Sequence, residues 1–256
     1  MSLKAIEFNQ VCKQYSQSGD FVVDHVNLSI NEGEFITILG SSGSGKTTLL
    51  KMINRLYEPS EGTINLFGED IATIDPVKVR RKIGYVIQQV GLFPHMTIAQ
   101  NIATVPKLLK WPQPKIKERV DELLNLVGLD PKEFKNRYPS QLSGGQQQRI
   151  GLARALAIDP KIMLLDEPFG AIDAITRLHL QDELMRLHGG LKKTFLFVTH
   201  DINEAFKLGT RVMIMNNGKV SQFDTPQSIV KNPADSFVSS LMRSSREQER
   251  FWEGLD

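Results

Sequence analysis

The sequence has one cysteine, Cys12, and few aromatic residues, which make up 7% of its 256 positions. With a single cysteine we expect no internal disulfide and no cysteine-based zinc site, which is typical of proteins from a reducing compartment. An excess of charge of one sign is also missing, because 31 basic residues stand against 29 acidic ones without a block of five like charges. Nucleic acid is therefore not an expected partner.

Long apolar runs are absent as well. None reaches the eighteen or so residues that a membrane-spanning helix needs, and the first residues lack the basic lead and apolar core of a secretory signal. We expect the chain to stay in the cytoplasm, so that any role at a membrane depends on another subunit. The length predicts one large domain with an insertion, or two small domains.

Short apolar runs rich in Ile, Val and Phe alternate with helical patterns, which favours an α/β fold with a mainly parallel sheet. The predicted strands of this sheet are Phe35–Leu39, Ile83–Ile87, Ile162–Leu165, Thr194–Val198 and Arg211–Met215. Near the N-terminus, alternating patterns predict a smaller, partly antiparallel sheet formed by Leu3–Phe8, Val22–Ile30 and Thr63–Phe67.

Strand patterns vanish between Met96 and Leu142, where Ile116–Val127 has apolar residues at helical spacing. This segment predicts a helical insertion. The pair Asn217-Gly218 lies between two apolar runs and predicts a β-hairpin. The polar tail 243–256 is expected to be loose or helical.

The clearest motif is a glycine-rich loop between a predicted strand and a predicted helix. It consists of Gly40, Ser41, Ser42, Gly43, Ser44, Gly45, Lys46 and Thr47, and Thr48 continues into the helix. Glycines let backbone N–H groups face phosphates, and a helix N-terminus adds partial positive charge. The pattern predicts that Lys46 reaches the β- and γ-phosphates of a nucleotide and that Thr47 binds Mg²⁺. Many classes of enzyme share such a loop.

Three further strands end in polar residues suited to nucleotide chemistry. Asp166 is suited to holding Mg²⁺, and Glu167 to orienting and deprotonating an attacking water. His200 follows another strand, where it can sense a γ-phosphate, and Gln88 ends a third and can contact both Mg²⁺ and the water. The alternatives are a solvated pair of carboxylates at a strand end and a structural histidine. Tyr15 can stack on a purine or lie half-buried at a strand edge.

A second glycine-rich segment, led by serine, lies about a hundred residues after the phosphate loop. It contains Ser143, Gly144, Gly145 and Gln146. A second anion site so far along one chain suggests a nucleotide held between two molecules.

The order of these motifs along the chain resembles that in the ATP-binding subunit of an ATP-binding cassette (ABC) transporter. The order is the phosphate loop, Gln88, the Ser143-led segment, Asp166-Glu167, Asp173 and His200. The resemblance covers nearly the whole chain. It implies a P-loop NTPase (RecA-like) core over 1–242 with an N-terminal antiparallel β subdomain and an α-helical subdomain inserted at about 92–157. It also implies ATP and Mg²⁺ as cofactors, with Thr47, Gln88 and Asp166 as Mg²⁺ ligands.

In that family two cassettes bind head to tail, so each ATP lies between one phosphate loop and the partner's Ser143-led segment. The resemblance implies that Tyr15 stacks on adenine, that Gln88 faces the membrane partner and that Glu167 is the catalytic base. It makes His200 the switch residue and Asp173 the residue that communicates across the dimer, although Ile172 stands where the family usually has leucine. Because the catalytic positions match the family, a homodimer is expected.

A narrower resemblance is to importers of glycine betaine, carnitine and choline, and it rests on Lys51–Leu56, Ile83–Ile98 and Val105–Pro112. It implies a permease, a substrate-binding protein or domain, and a place on the cytoplasmic face of the cell membrane. The solute would be one of these compounds or another trimethylammonium compound such as ergothioneine. Regulatory domains of the cystathionine-β-synthase type are not expected after the tail. A soluble ABC ATPase that does not drive transport is the alternative, and a phosphate-loop kinase leaves the Ser143-led segment unexplained.

Overall fold

The structure is a computed structural model, and it describes residues 3–16, 19–87, 91–170, 172–191 and 193–253. Its strands, in chain order, are β1 Lys4–Lys13, β2 Val23–Asn31, β3 Phe35–Gly40, β4 Glu61–Leu66, β5 Glu69–Asp70, β6 Ile83–Val86, β7 Ile162–Asp166, β8 Thr194–Thr199, β9 Arg211–Asn216 and β10 Lys219–Asp224. The α-helices are α1 Lys46–Ile53, α2 Pro76–Arg81, α3 Ile98–Ile102, α4 Thr104–Leu108, α5 Gln113–Leu126, α6 Pro131–Phe134, α7 Gly144–Ala155, α8 Ala174–Leu191, α9 Ile202–Leu208, α10 Pro226–Lys231 and α11 Ser236–Glu253.

The chain forms two compact units. Unit 1 contains Met1–Arg80 and Thr194–Asp256, and unit 2 contains Arg81–Lys193. The predicted boundaries of a cassette over 1–242, an insertion at about 92–157 and a tail at 243–256 stay predictions, although α11 shows that the tail is helical as far as Glu253. Within the described residues, no helix is both long and apolar enough to cross a membrane.

The parallel strands of unit 1 place β3 between β8 and β9, and β10 pairs antiparallel with β9. All six residues of β3 are buried, as expected for a parallel strand covered on both faces. Asn217 and Gly218 join β9 to β10 with φ angles of 46° and 79°. Two successive positive φ angles are typical of a type I′ turn, so the predicted hairpin is confirmed.

Unit 1 also contains an antiparallel sheet of order β2-β1-β4-β5. This order confirms the small, partly antiparallel N-terminal sheet that was predicted from sequence alternation. The sheet contacts the hairpin, where the backbone N–H of Asp24 at the start of β2 donates to the carbonyl of Gly218 at 2.9 Å.

Unit 2 combines the parallel pair β6 and β7 with the helices α3 to α8. Ile116, Val120, Leu123 and Leu124 line the buried side of α5, which confirms the predicted amphipathic helix. The α/β class and the parallel strands are confirmed as well. The observed ends of the parallel strands lie within one residue of the predicted ones, since continuous apolar runs mark buried strands clearly. In the antiparallel sheet, β1 continues to Lys13, five residues past the predicted end at Phe8, because its later residues lack a regular alternation.

Candidate functional site

The phosphate loop lies between the end of β3 and the start of α1 in unit 1. Gly43 and Gly45 have φ angles of 78° and 97°, in the left-handed region that favours glycine. A Cβ on Gly40 would lie 2.2 Å from the carbonyl oxygen of Met215 in β9, and one on Gly45 would lie 2.3 Å from that of Val22. Apart from Gly43 and its two chain neighbours, no atom of the described residues lies within 4 Å of a Cβ built on Gly43. The glycines are therefore required by close backbone packing at two positions and by conformation at the third.

The polar side chains of the loop suit an anionic ligand. Lys46 is 6% exposed, and its ammonium Nζ donates to the carbonyls of Gly40 and Ser41 at 2.8 Å each. The buried Ser44 Oγ has no hydrogen-bond partner within the described part of the chain. A buried hydroxyl without a partner is costly unless a ligand or water satisfies it. Together with the N-terminus of α1, these groups fit a bound phosphate.

Tyr15, just after β1, is 60% exposed beside the loop. Its hydroxyl lies 3.2 Å from Thr48 Oγ1 in α1, and its ring meets that of Tyr57 edge to face at a centroid distance of 5.8 Å. The Lys13 ammonium lies 5.7 Å from the Tyr15 ring. The exposed ring next to the phosphate loop leaves a flat apolar surface on which a base can stack. Tyr57 was not found by the sequence reasoning, because no motif links residues this far apart.

His200 is exposed and follows β8 directly. The next residue, Asp201, caps α9 by accepting from the N–H groups of Asn203 and Glu204. Leu39 pairs with Thr199 in the parallel register of β3 and β8, so His200 and the phosphate loop start from the same edge of the sheet. Unit 1 thus has the phosphate loop and His200 at one edge of its parallel strands and Tyr15 next to α1.

Asp166 and Glu167 lie at the carboxyl end of β7 in unit 2. Asp166 is 6% exposed and accepts a hydrogen bond at 3.3 Å from the hydroxyl of Tyr85 in β6, a neighbour that no sequence motif indicated. Glu167 is half-buried and has a φ of 45°, which is uncommon for a residue with a side chain. Its carbonyl accepts from the N–H of Gly170 at 3.2 Å. The chain therefore turns sharply at Glu167, directly after β7.

The Ser143-led segment begins α7. Ser143 Oγ accepts from the N–H of Gln146 at 3.3 Å, and Gln146 Oε1 accepts from the N–H of Ser143 at 3.0 Å, which together form a capping box. Ser143 and Gly144 are exposed, whereas a Cβ on Gly145 would lie 2.7 Å from Thr176 Cγ2 in α8. An exposed helix N-terminus with a serine hydroxyl is suited to bind an anion.

Asp173 precedes α8 and accepts from the N–H of Thr176 at 3.0 Å. This hydrogen bond, with a second one to the Thr176 side chain, lowers the pKa of the exposed Asp173 carboxyl below its ordinary value of 3.8. Asp173 is therefore an anionic helix cap. Gln88, the remaining predicted site residue, lies outside the described residues.

Comparisons with known proteins agree with these motifs. A family model described as "ABC transporter" matches residues 23–170. The choline transport ATP-binding protein OpuBA of Bacillus subtilis is 56% identical over 241 residues, which is 94% of this chain and 63% of that protein. The glycine betaine uptake system ATP-binding protein YehX of Escherichia coli is 49% identical over 94% of this chain and 77% of its own length. The chain thus spans less than two thirds of the length of OpuBA and of several similar relatives.

Solved structures give the same result. The ATP-binding cassette MJ0796, in a dimer bound to ADP and Pi, has a TM-score of 0.76 with 37% identity, over 86% of this chain and 98% of its own. A second structure, cbiO1 from Clostridium perfringens, described as part of an ABC transporter complex, has a TM-score of 0.83 with 27% identity. The chain therefore belongs to the ABC transporter family and has the fold of that family's ATP-binding cassettes.

Proposed function

We propose that the chain is the ATP-hydrolysing subunit of an importer and works as a head-to-tail homodimer. The observation that carries this proposal is the presence of two different anion sites on one chain. The phosphate loop before α1 offers glycine backbone and Lys46, and the N-terminus of α7 offers the exposed Ser143. Because a chain that binds ATP alone has no need for the second site, we assign it to the nucleotide of a partner copy.

ATP binding starts from the groups of unit 1. The glycine N–H groups and Lys46 surround the β- and γ-phosphates, Thr48 follows at the start of α1, and the Tyr15 ring stacks on adenine. Lys46 is held in place by two carbonyl contacts, which fix its ammonium at the loop. This arrangement reduces the number of side chains that must be ordered when the nucleotide binds.

Glu167 is the proposed general base. Its carboxylate orients the attacking water and accepts the proton of that water as the oxygen bonds to the γ-phosphorus, while the bond from this phosphorus to the β,γ-bridging oxygen breaks and ADP leaves. His200 donates to the γ-phosphate, and Asp173 contacts the partner copy. The proposed ligands of Mg²⁺ are the hydroxyl of Thr47, the amide of Gln88 and the carboxylate of Asp166. Oxygen donors of this kind suit that ion. When bound, Mg²⁺ neutralises phosphate charge.

The transport role rests on the relatives. OpuBA is named for choline transport, a second Bacillus subtilis relative at 56% identity for glycine betaine, carnitine and choline, and YehX for glycine betaine uptake. All three solutes carry a trimethylammonium group, so we assign a solute of this class. Permease subunits and a substrate-binding protein or domain complete the importer, and they hold the cassette at the cytoplasmic face of the membrane.

The test uses Glu167→Gln, which keeps the shape of the side chain and removes its basicity. ATP turnover should fall by about 10²–10⁴-fold, the range for loss of a general base, while ATP binding persists and an ATP-bound dimer accumulates. Glu133→Gln is the control, because Glu133 is an exposed glutamate of α6 paired with Arg137. Equal turnover in the two variants would contradict the role of Glu167.

Uptake of radiolabelled glycine betaine, carnitine, choline and ergothioneine tests the transport role. The assay uses cells in which the chromosomal gene carries Glu167→Gln or the control substitution. We expect uptake of at least one of these solutes to fail in the first strain only. Unchanged uptake of every solute in both strains, with turnover lost in the purified Glu167→Gln protein, would favour a cassette ATPase that does not drive this transport.

A further inference from the structure

A cluster of metal-ligating side chains lies in the antiparallel sheet of unit 1, apart from every residue assigned to ATP. The Cys12 sulfur on β1, one imidazole nitrogen of His25 on β2 and one carboxylate oxygen of Glu61 on β4 all lie within 4.8 Å of one another. Cys12 is buried, whereas His25 and Glu61 are exposed. The sulfur therefore forms the floor of the cluster, and the two exposed side chains lie on its solvent side.

The sheet reaches this arrangement through irregular pairing on both sides of β1. Val11 pairs with Val26 and Lys13 with Val23, so that two residues of β2 lie opposite Cys12. On the other side, Cys12 pairs directly with Glu61. The extra residue makes a β-bulge, a feature that redirects side chains. His25 sits at the bulge with a φ of 49°.

Neighbouring groups hold the Cys12 and His25 side chains of the cluster by hydrogen bonds. The backbone N–H of His25 lies 3.2 Å from Cys12 Sγ and donates to it, so β1 and β2 are joined at the sulfur. Nδ1 of His25 lies 2.5 Å from Asp24 Oδ1. A carboxylate that holds one imidazole nitrogen orients the ring for a metal at the other nitrogen. Lys219, 3.3 Å from Asp24 Oδ2, holds that carboxylate in turn.

We propose that Cys12, His25 and Glu61 bind one Zn²⁺ ion, with Asp24 orienting His25. Thiolate, imidazole and carboxylate are ligands that Zn²⁺ accepts together, at about 2.0–2.3 Å each. Binding of Zn²⁺ releases the proton of the Cys12 thiol to solvent, and the thiolate and the Glu61 carboxylate then balance the two positive charges of the ion. Rotation of the exposed His25 and Glu61 side chains brings the three donors to these distances, and water completes a tetrahedral site.

This inference differs from the proposed function, because none of the three ligands belongs to the ATP site. The purified, reduced full chain without nucleotide would be titrated with Zn²⁺ and with Co²⁺. Because Cys12 is the only cysteine, the rate of its alkylation reports on this site alone. We expect one equivalent of Zn²⁺ to protect Cys12 and one equivalent of Co²⁺ to give a thiolate-to-cobalt charge-transfer band.

Substitutions then identify the ligands. His25→Asn suits the left-handed backbone and Glu61→Gln keeps the shape of the side chain, so both variants fold even if Cys12→Ala does not. Each should lose more affinity for Zn²⁺ than the roughly 10–100-fold expected for Asp24→Asn, which removes an outer-shell partner. The control His95→Asn, at another exposed histidine, should bind as the original chain does.

Two outcomes would overturn the assignment. One is a Co²⁺ complex without the thiolate band. The other is Zn²⁺ affinity that His25→Asn and Glu61→Gln leave unchanged relative to His95→Asn. ATP turnover of the His25→Asn variant is measured in parallel, and it should equal that of the original chain, since failure of the metal site leaves the ATPase proposal untouched.

Discussion

Replacing Ser143 with alanine separates two effects that one hydroxyl produces. Ser143 Oγ caps α7 by accepting from Gln146, and its O–H remains a donor for a γ-phosphate held by a partner copy. Loss of the cap should lower the free energy of unfolding by about 0.5–2 kcal/mol. Loss of a hydrogen bond to a charged group costs about 1.5–3 kcal/mol, which raises the dissociation constant of the ATP-bound dimer roughly 10- to 150-fold for each of its two sites.

The chain offers a matched control in Thr97, which caps α3 with the same box. Thr97 Oγ1 accepts from the N–H of Gln100 at 3.3 Å, and Gln100 Oε1 accepts from the N–H of Thr97 at 2.8 Å. Thr97→Ala should therefore destabilise the fold about as much as Ser143→Ala does. It should leave dimerisation unchanged, because α3 is not part of the proposed ATP site.

Sedimentation of both variants in the Glu167→Gln background would measure dimerisation without turnover, and denaturant unfolding would measure the cost of the lost cap. ATP binding to the monomer, followed by fluorescence titration, should match in the two variants. The reasoning is refuted if Thr97→Ala weakens the dimer as strongly as Ser143→Ala, or if Ser143→Ala weakens monomer binding to the same extent as dimerisation.

Three further changes test other parts of the structure. Tyr15→Ala should weaken ATP binding by about 1–3 kcal/mol, the range for loss of a base-stacking ring, and equal affinities by calorimetry would argue against stacking. Gly45→Ala should lower the melting temperature and ATP affinity together, because its φ is 97° and its Cβ would meet the Val22 carbonyl; an unchanged melting temperature would contradict this. The hydrogen bond from Lys193 lowers the folded-state pKa of the Asp159 carboxyl. The ion pair therefore stabilises the fold at pH values above the ordinary pKa of 3.8, and this stabilisation is lost as pH falls through the folded-state pKa. Asp159→Asn should thus be less stable than the original chain at pH 7 and approach it below pH 4 in denaturant unfolding, and a pH-independent difference would disprove the ion pair's contribution.

The parallel strands and the phosphate loop could be predicted well, because each requires a recognisable pattern within a short stretch of sequence. A strand buried on both faces requires a continuous apolar run, as in β3 and β8, and a loop that packs against neighbouring backbone requires glycine at fixed positions, as at Gly40 and Gly45. Both requirements are visible without knowledge of the partners.

Contacts between residues far apart in the sequence could not be predicted, because no local pattern indicates them. Two contacts depend on strand register and on the placement of the helices. They are the edge-to-face contact of the Tyr57 and Tyr15 rings and the hydrogen bond from the Tyr85 hydroxyl to Asp166. The bulge opposite Cys12 depends on a single extra residue in β2, which alternation alone does not locate. The zinc site proposed at Cys12 therefore departs from the prediction of no cysteine-based zinc site, because His25 and Glu61 come near the sulfur only through the register of the sheet.

The close approach of Gly40 to the Met215 carbonyl has a thermodynamic consequence. Fixing the backbone of one residue costs about 1–2 kcal/mol of conformational entropy, and the packing of β3 against β9 has already removed that freedom from Gly40 during folding. If the loop binds phosphate as proposed, part of its affinity is therefore set by the backbone of β9. Substitutions that loosen β9 should weaken nucleotide binding mainly through a less favourable binding entropy.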